Sequence, residues 1–313
     1  MGLIGEDCHL TSHFATRDTP SWHHQRVAPE LHTSAGPVRY AVSGPSSSGK
    51  PDLVLVHGWC CERSSMVTLR EEFGTEHRVV EIDLRGHGAS LDAQDDGSMG
   101  VGHRRNDAGE AVPPSLTNVT IEDYADDVWA ICKQAKLRRP LLIGHSMGAL
   151  VVLAALASRP VGTHAPIGAV LLDPAPILNP NLKAFWADAA EKVRKDGNGS
   201  WRRSFAQKLF LPTDRASRVA LTEAIARTRT EVAAGAASAM ATFDGDAALR
   251  QVDRPMLVIH ANTAERAVGT LARQEGIELT TGQTVGAGHF HHLEVPEQVM
   301  PMIRQWMKVE LAD

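Results

Sequence analysis

The stretch Leu141-Leu-Ile-Gly-His-Ser-Met-Gly-Ala-Leu150 decides the fold of this chain. Its first three residues are an apolar run that predicts a buried strand, and the residues after Ser146 favour a helix. A sharp turn between the two strains the backbone of its central residue and needs small residues two positions before and after it, here Gly144 and Gly148. The stretch therefore predicts a strand, a turn that presents the Ser146 hydroxyl, and a helix.

The predicted position of Ser146 is that of a nucleophile. The first backbone N–H groups of the following helix would lie beside its hydroxyl and suit a developing negative charge. A nucleophilic serine also needs a base, a carboxylate that orients the base, and a second backbone donor. The rest of the chain is therefore expected to supply these three groups.

The composition is ordinary for a globular protein of 313 residues, with 43% hydrophobic and 22% charged residues. A net charge of -5 without a basic run gives no general affinity for nucleic acid. The chain has no run of about 18 apolar residues, so no membrane span is predicted. The first residues show no secretion signal, and the four cysteines show no disulfide or metal spacing, so we expect a cytoplasmic protein. The oligomeric state stays open.

The pattern of apolar residues divides the chain into an arm, a core and a cap. Residues 1–28 are polar and aperiodic, which favours a disordered arm. Apolar runs that alternate with helical patterns over residues 29–174 and 253–313 predict an α/β core, with a mostly parallel sheet flanked by helices. Residues 175–252 lose the strand pattern and predict an inserted helical cap. The segment from Ser90 to Asn118 is rich in Gly, Asp and Pro and predicts a surface insertion.

The base is expected to be a histidine that follows the last strand of the sheet. His289 lies in such a loop, before a helix that begins at Pro296. A loop at a strand end can place an imidazole against a hydroxyl from a neighbouring strand end. His291 and His292 are the alternatives for this role.

The second backbone donor is expected in the loop after the strand that begins at Leu53. That loop reads His-Gly-Trp at residues 57–59. The N–H of Trp59 and the N–H of Met147, which directly follows the serine, would then form an oxyanion hole. The loss of one such donor typically costs about 100-fold to 1000-fold in rate.

Five motifs of the chain resemble those of the α/β-hydrolase fold superfamily. They are H-G-W at 57–59, D-L-R-G-H-G at 83–88, G-H-S-M-G at 144–148, L-L-D-P at 171–174 and G-A-G-H at 286–289. The resemblance spans roughly Glu30 to Val309 and implies this fold, with a helical cap and no cofactor or metal. The superfamily includes esterases and lactonases, and also C–C bond hydrolases, lyases, cofactor-free oxygenases and receptors.

The chain departs from the superfamily at the residue that orients the base. Members commonly carry an Asp a few residues beyond the strand that here is 255–259, and Ala264 occupies that position. Other members take the acid from the end of the preceding strand, where this chain has Asp173. The resemblance therefore predicts Asp173 as the acid. Glu265 is the alternative, because its longer side chain could compensate for a shift of one residue.

Together these features predict a cofactor-free serine hydrolase that acts on a carboxylic ester or lactone through an acyl-enzyme. The predicted cap carries large apolar residues that would contact a small, partly apolar substrate; they are Phe185, Trp186, Trp201, Phe205, Phe210, Met240 and Phe243. The alternatives are a C–C bond hydrolase, a lyase or a cofactor-free oxygenase on the same scaffold, or a receptor without catalysis.

Overall fold

The computed structural model describes residues 29–33, 36–90, 116–158, 161–175, 180–215, 217–261, 277 and 279–311. Within these ranges, eight strands form one sheet in the order β1-β2-β4-β3-β5-β6-β7-β8. The strands are β1 (Glu30–Thr33), β2 (Gly36–Ser43), β3 (Leu53–Val56), β4 (Val79–Ile82), β5 (Leu141–His145), β6 (Gly168–Leu172), β7 (Met256–His260) and β8 (Leu279–Gln283).

The sheet is mostly parallel. The hairpin β1–β2 is antiparallel and joins the sheet through an antiparallel pairing with β4. All other neighbouring strands pair in parallel. The prediction of a mostly parallel sheet flanked by helices is therefore confirmed.

Helices connect the parallel strands and cover both faces of the sheet. In chain order they are α1 (Val67–Phe73), α2 (Ile121–Gln134), α3 (Met147–Ala157), α4 (Pro180–Arg194), α5 (Ser200–Gln207), α6 (Arg218–Arg227), α7 (Thr230–Thr242), α8 (Gly245–Gln251), α9 (His291–Glu294) and α10 (Pro296–Glu310). Short 3-10 helices lie at Arg63–Met66 and Leu116–Asn118. The five helices α4 to α8, between β6 and β7, are the inserted helices. No helix within the described ranges has the length and apolarity to cross a membrane.

The strands of the sheet centre are buried along their whole length. This holds for β3, β4, β5, β6 and β7, because α2 and α3 pack on one face while α1 and α10 pack on the other. The carboxyl ends of parallel strands meet at one edge of a sheet, where loops from different strands converge. The loops after β3, β5, β6 and β7 therefore lie close together.

Some sequence predictions concern residues whose structure is not described. They are the arm at residues 1–28, most of the insertion between Ser90 and Asn118, and Glu265.

Candidate active site

Ser146 occupies the sharp turn between β5 and α3. Its backbone is left-handed, with φ 56°. A Cβ on Gly144 would lie 2.2 Å from the carbonyl oxygen of Gly148, and a Cβ on Gly148 would lie 2.3 Å from that of Val56. Neither position can carry a side chain without moving the backbone. The Ser146 N–H donates to the Leu172 carbonyl at 3.0 Å, which ties the turn to the end of β6.

Asp173 and His289 form a short hydrogen bond, in which Nδ1 of the imidazole lies 2.6 Å from Oδ2 of the carboxylate. The other carboxylate oxygen accepts the N–H of Ala261 at 2.9 Å. Burial raises the pKa of the Asp173 carboxyl, but the bonds from His289 and Ala261 outweigh it, and the net pKa is lowered. Asp173 is therefore ionised at neutral pH. It keeps Nδ1 protonated and leaves Nε2 as the proton-accepting nitrogen of His289.

The backbone of His289 is bound from two sides. Its N–H donates to the carbonyl of Leu209, at 2.8 Å, and its carbonyl accepts a bond from Nε2 of His145, at 2.9 Å. Burial and the nearby His292 hold the pKa of His145 well below its usual range, so the ring is neutral and Nε2 carries its proton. Because His145 directly precedes Ser146, it links the serine strand to the loop that carries His289.

His291 and His292, the alternatives for the base, face the protein interior. Nδ1 of His291 lies 3.1 Å from the Thr284 hydroxyl, and Nε2 of His292 donates to the Ser65 carbonyl at 2.9 Å. Burial lowers the pKa of His291 to about 3 and that of His292 to about 4, so both rings are neutral. His289 is only partly buried and makes the direct bond to the Asp173 carboxylate.

The loop after β3 lies directly against the serine. A Cβ on Gly58 would be 3.1 Å from the Cβ of Ser146. The neighbouring His57 fixes this loop, because its Nδ1–H donates to the Gly58 carbonyl at 2.9 Å and its Nε2 accepts the N–H of Leu84 at 3.0 Å. Burial lowers the pKa of His57 to about 4, which agrees with a neutral ring that both donates and accepts.

The two residues predicted to supply the oxyanion donors are Met147, which directly follows Ser146, and Trp59, which directly follows Gly58. Met147 is the first residue of α3, where backbone N–H groups have no acceptor within the helix. Trp59 is buried, and its indole N–H donates to the Ala233 carbonyl at 2.8 Å. Its ring packs edge-on against Trp186 and Phe205, at centroid distances of 5.4 and 5.6 Å. The loop that carries Trp59 is therefore attached to the inserted helices.

Two groups that hold the His289 loop were not predicted from the sequence. His145 is part of the G-H-S-M-G motif, and its place beside the serine is a signal that could have identified it. The segment of residues 209–214, which contacts His289 and Gly288, carries no comparable signal. It lies in the part of the chain where the sequence predicts an inserted helical cap, at a junction between two of its helical stretches.

The fold and this site define a class: α/β proteins with a serine at a strand-to-helix turn and a histidine–aspartate pair at neighbouring strand ends. The chain belongs to the alpha/beta hydrolase family, whose family profile matches residues 53–301. The resemblance seen in the five sequence motifs is therefore confirmed.

Solved structures share the fold over nearly all of their length. A thermophilic esterase from Thermogutta terrifontis is 23% identical, with 90% of this chain and 98% of that chain covered and a TM-score of 0.69. The enol-lactonase from Burkholderia xenovorans is 19% identical, with 90% and 100% covered and a TM-score of 0.72. A curated relative, the magnesium-chelatase 30 kDa subunit of Rhodobacter capsulatus, is 26% identical over 136 residues. That match covers 44% of this chain and 40% of the relative, less than half of its length.

Proposed function

We propose that this protein is a cofactor-free serine hydrolase that cleaves a carboxylic ester or lactone through an acyl-enzyme. The observation that carries the proposal is the 2.6 Å bond between His289 and Asp173, at the edge of the sheet where the strained turn presents Ser146. An ionised carboxylate that fixes the imidazole tautomer is the arrangement that a serine nucleophile needs.

In the first half of the reaction, His289 takes the proton of the Ser146 hydroxyl at Nε2 while Oγ attacks the substrate carbonyl carbon. Asp173 stabilises the imidazolium that forms. The N–H groups of Met147 and Trp59 donate to the oxyanion of the tetrahedral intermediate. The imidazolium then gives its proton to the leaving alcohol oxygen as the C–O bond breaks, which leaves the acyl group on Ser146.

In the second half, a water molecule takes the place of the leaving alcohol. His289 removes a proton from this water as its oxygen attacks the acyl carbon. Collapse of the second tetrahedral intermediate returns the proton to Ser146 and releases the carboxylic acid. No cofactor or metal is needed in either half, because the proton moves between the serine, the imidazole and the water.

The aromatic residues around Trp59 support a substrate with an apolar acyl or aryl part. The side chains of Trp186 and Phe205, from the inserted helices, pack directly on the ring of Trp59, the residue whose backbone N–H is the predicted oxyanion donor. Inserted helices in this position would act as a cap over the serine. The esterase and enol-lactonase that share the fold are known by names that agree with an ester or lactone substrate.

The test is p-nitrophenol release from p-nitrophenyl esters of increasing acyl length, with wild type, Ser146→Ala and Ser64→Ala compared. Ser64 is an exposed serine of the 3-10 helix before α1 and serves as the matched control. We expect wild type and Ser64→Ala to release p-nitrophenol with a chain-length preference, and Ser146→Ala to release none. Release that persists in Ser146→Ala would contradict the proposal. No release from wild type would favour a narrow lactone substrate, or the C–C bond or receptor alternatives.

A further inference from the structure

A segment that connects two of the inserted helices forms hydrogen bonds to the loop that carries His289. This segment, residues 209–214, lies between α5 and α6. The Leu209 carbonyl accepts the N–H of His289 at 2.8 Å, and the Asp214 carboxylate accepts the N–H of Gly288 at 3.0 Å. Two consecutive backbone N–H groups of the His289 loop are therefore bound by residues 209–214.

Asp214 is a buried carboxylate, with only 3% of its surface exposed. Its Oδ2 also accepts the N–H of Leu211, at 2.8 Å. A buried carboxylate is costly unless hydrogen bonds satisfy its oxygens, and these partners are backbone N–H groups on both sides of the contact. The side chain therefore fixes the backbone of the segment and the backbone of the His289 loop relative to each other.

The contact is too tight for a side chain at Gly288. A Cβ there would lie 2.6 Å from the Leu209 carbonyl oxygen and 2.7 Å from Oδ2 of Asp214. One residue further on each side, the rings of Phe210 and Phe290 stack with their centroids 5.1 Å apart. The loop is therefore packed against the segment before and after His289.

The opposite side of His289 is fixed by the core of the protein. Its carbonyl accepts the bond from His145, and its Nδ1 is bonded to Asp173. Residues of the core thus fix the position of the loop on one side, and residues 209–214 fix it on the other. A shift of this segment would move the imidazole of His289 relative to the serine turn.

We propose that Asp214 is a positioning residue for the base, which keeps the Gly288–His289 backbone where the imidazole serves both Ser146 and Asp173. The inference rests on the proposed function, because it takes His289 as the base. A misplacement of about 1 Å at a reacting group can cost on the order of 100-fold in rate. The rate of the reaction is therefore coupled to the position of the inserted helices.

The test compares wild type with Asp214→Ala and Asp214→Asn. The amide oxygen of Asn can still accept the Gly288 N–H, whereas Ala removes both acceptor oxygens. Asp244→Ala is the matched control, because Asp244 also accepts a backbone N–H, that of Ala247 at the start of α8, away from the loop. Three quantities are measured: kcat per active site, KM, and the downfield proton NMR signal of the His289–Asp173 bond. The concentration of active sites is titrated from the p-nitrophenol burst.

For Asp214→Ala we expect kcat per titrated site to fall by about 10-fold to 100-fold, with KM little changed and the His289 proton signal shifted or broadened. Asp214→Asn should restore most of kcat, and Asp244→Ala should lower the thermal midpoint without changing kcat or the signal. If Asp214→Ala fails to fold, Asp214→Glu replaces it, since its extra methylene displaces the acceptor oxygens while keeping the charge. A folded Ala or Glu variant with wild-type kcat and proton signal would overturn the inference.

The two proposals fail in distinguishable ways. Ester cleavage that does not depend on Ser146 would refute the proposed function, and the proton signal of His289 would still report whether Asp214 positions the ring. Ser146-dependent cleavage that is insensitive to Asp214 would refute only the positioning role.

Discussion

The substitution Asp173→Asn removes the charge that orients His289 while leaving the shape of the side chain. In the native site one carboxylate oxygen accepts the Ala261 N–H at 2.9 Å and the other accepts Nδ1–H of His289 at 2.6 Å. Asn has a single acceptor oxygen and an NH2 group that only donates. When the Asn oxygen accepts the Ala261 N–H, the NH2 group faces Nδ1 of His289. The imidazole proton then has to lie on Nε2. In that tautomer the ring is unable to take the serine proton.

The expected cost follows from this change of tautomer and from the loss of the carboxylate that stabilises imidazolium. A substitution of this type in a serine triad lowers kcat by about 10,000-fold. At about 1.36 kcal/mol for each factor of ten, this corresponds to about 5.4 kcal/mol of transition-state stabilisation. The effect should fall on kcat, because Asp173 lies behind the imidazole and would not contact the substrate.

The assay is hydrolysis of the best p-nitrophenyl ester under saturating and limiting substrate, with the thermal midpoint measured on the same samples. Glu265→Gln is the matched control, because Glu265 is the alternative acid that the sequence suggests. We expect Asp173→Asn to lose about four orders of magnitude in kcat, and Glu265→Gln to stay near wild type. Small and equal losses from both variants would refute the assignment of the acid.

Two further predictions concern buried histidines. His145→Leu should lower kcat by about 10-fold or more, because the His289 carbonyl loses its hydrogen-bond donor. His145→Gln can still donate and should recover part of the lost kcat. Equal kinetics of the two variants would argue against a role for the His145–His289 bond. Burial lowers the pKa of His57 to about 4, so between pH 6.5 and 4 the unfolded chain binds the proton and the folded chain does not. The free energy of unfolding should therefore fall as the pH drops through this window, by on the order of 3 kcal/mol for this residue. Urea unfolding of wild type and His57→Gln at pH 7, 6, 5 and 4 measures it, and the same pH dependence in both proteins would contradict the prediction.

The sequence predicted those parts of the structure that depend on local patterns. The sequence has Thr120 and Asp123 at capping-box spacing, which predicts a helix start, and the structure shows both bonds of the box at the start of α2. The turn at Ser146 was predictable for the same reason, because its two glycines stand at fixed positions beside the serine. Such features are encoded by residues a few positions apart, so a single sequence suffices to find them.

Contacts between the inserted helices and the core could not be predicted in this way. The helical pattern of residues 175–252 indicates which residues are apolar, but it does not indicate which loop each helix packs against. The bond from Gly288 to Asp214 and the bond from the Trp59 indole to Ala233 join parts of the chain that are far apart in sequence. Tertiary packing sets the partners of these bonds. One partner in each bond is a backbone group, which carries no signal in the sequence.

The hydrogen bonds around Asp173 support its prediction as the acid that orients His289. Asp173 follows β6, and the position that carries the acid in many superfamily members follows β7, the adjacent strand, with Leu172 paired to Ile259. The Asp173 N–H donates to the Ile259 carbonyl, and the Asp173 carboxylate accepts the Ala261 N–H. The end of β7 therefore supports the carboxylate from β6. Because the two strand ends are neighbours, an acid at the end of β6 reaches His289 as one after β7 would. The proposed role of Asp173 is therefore compatible with Ala264 at the usual position.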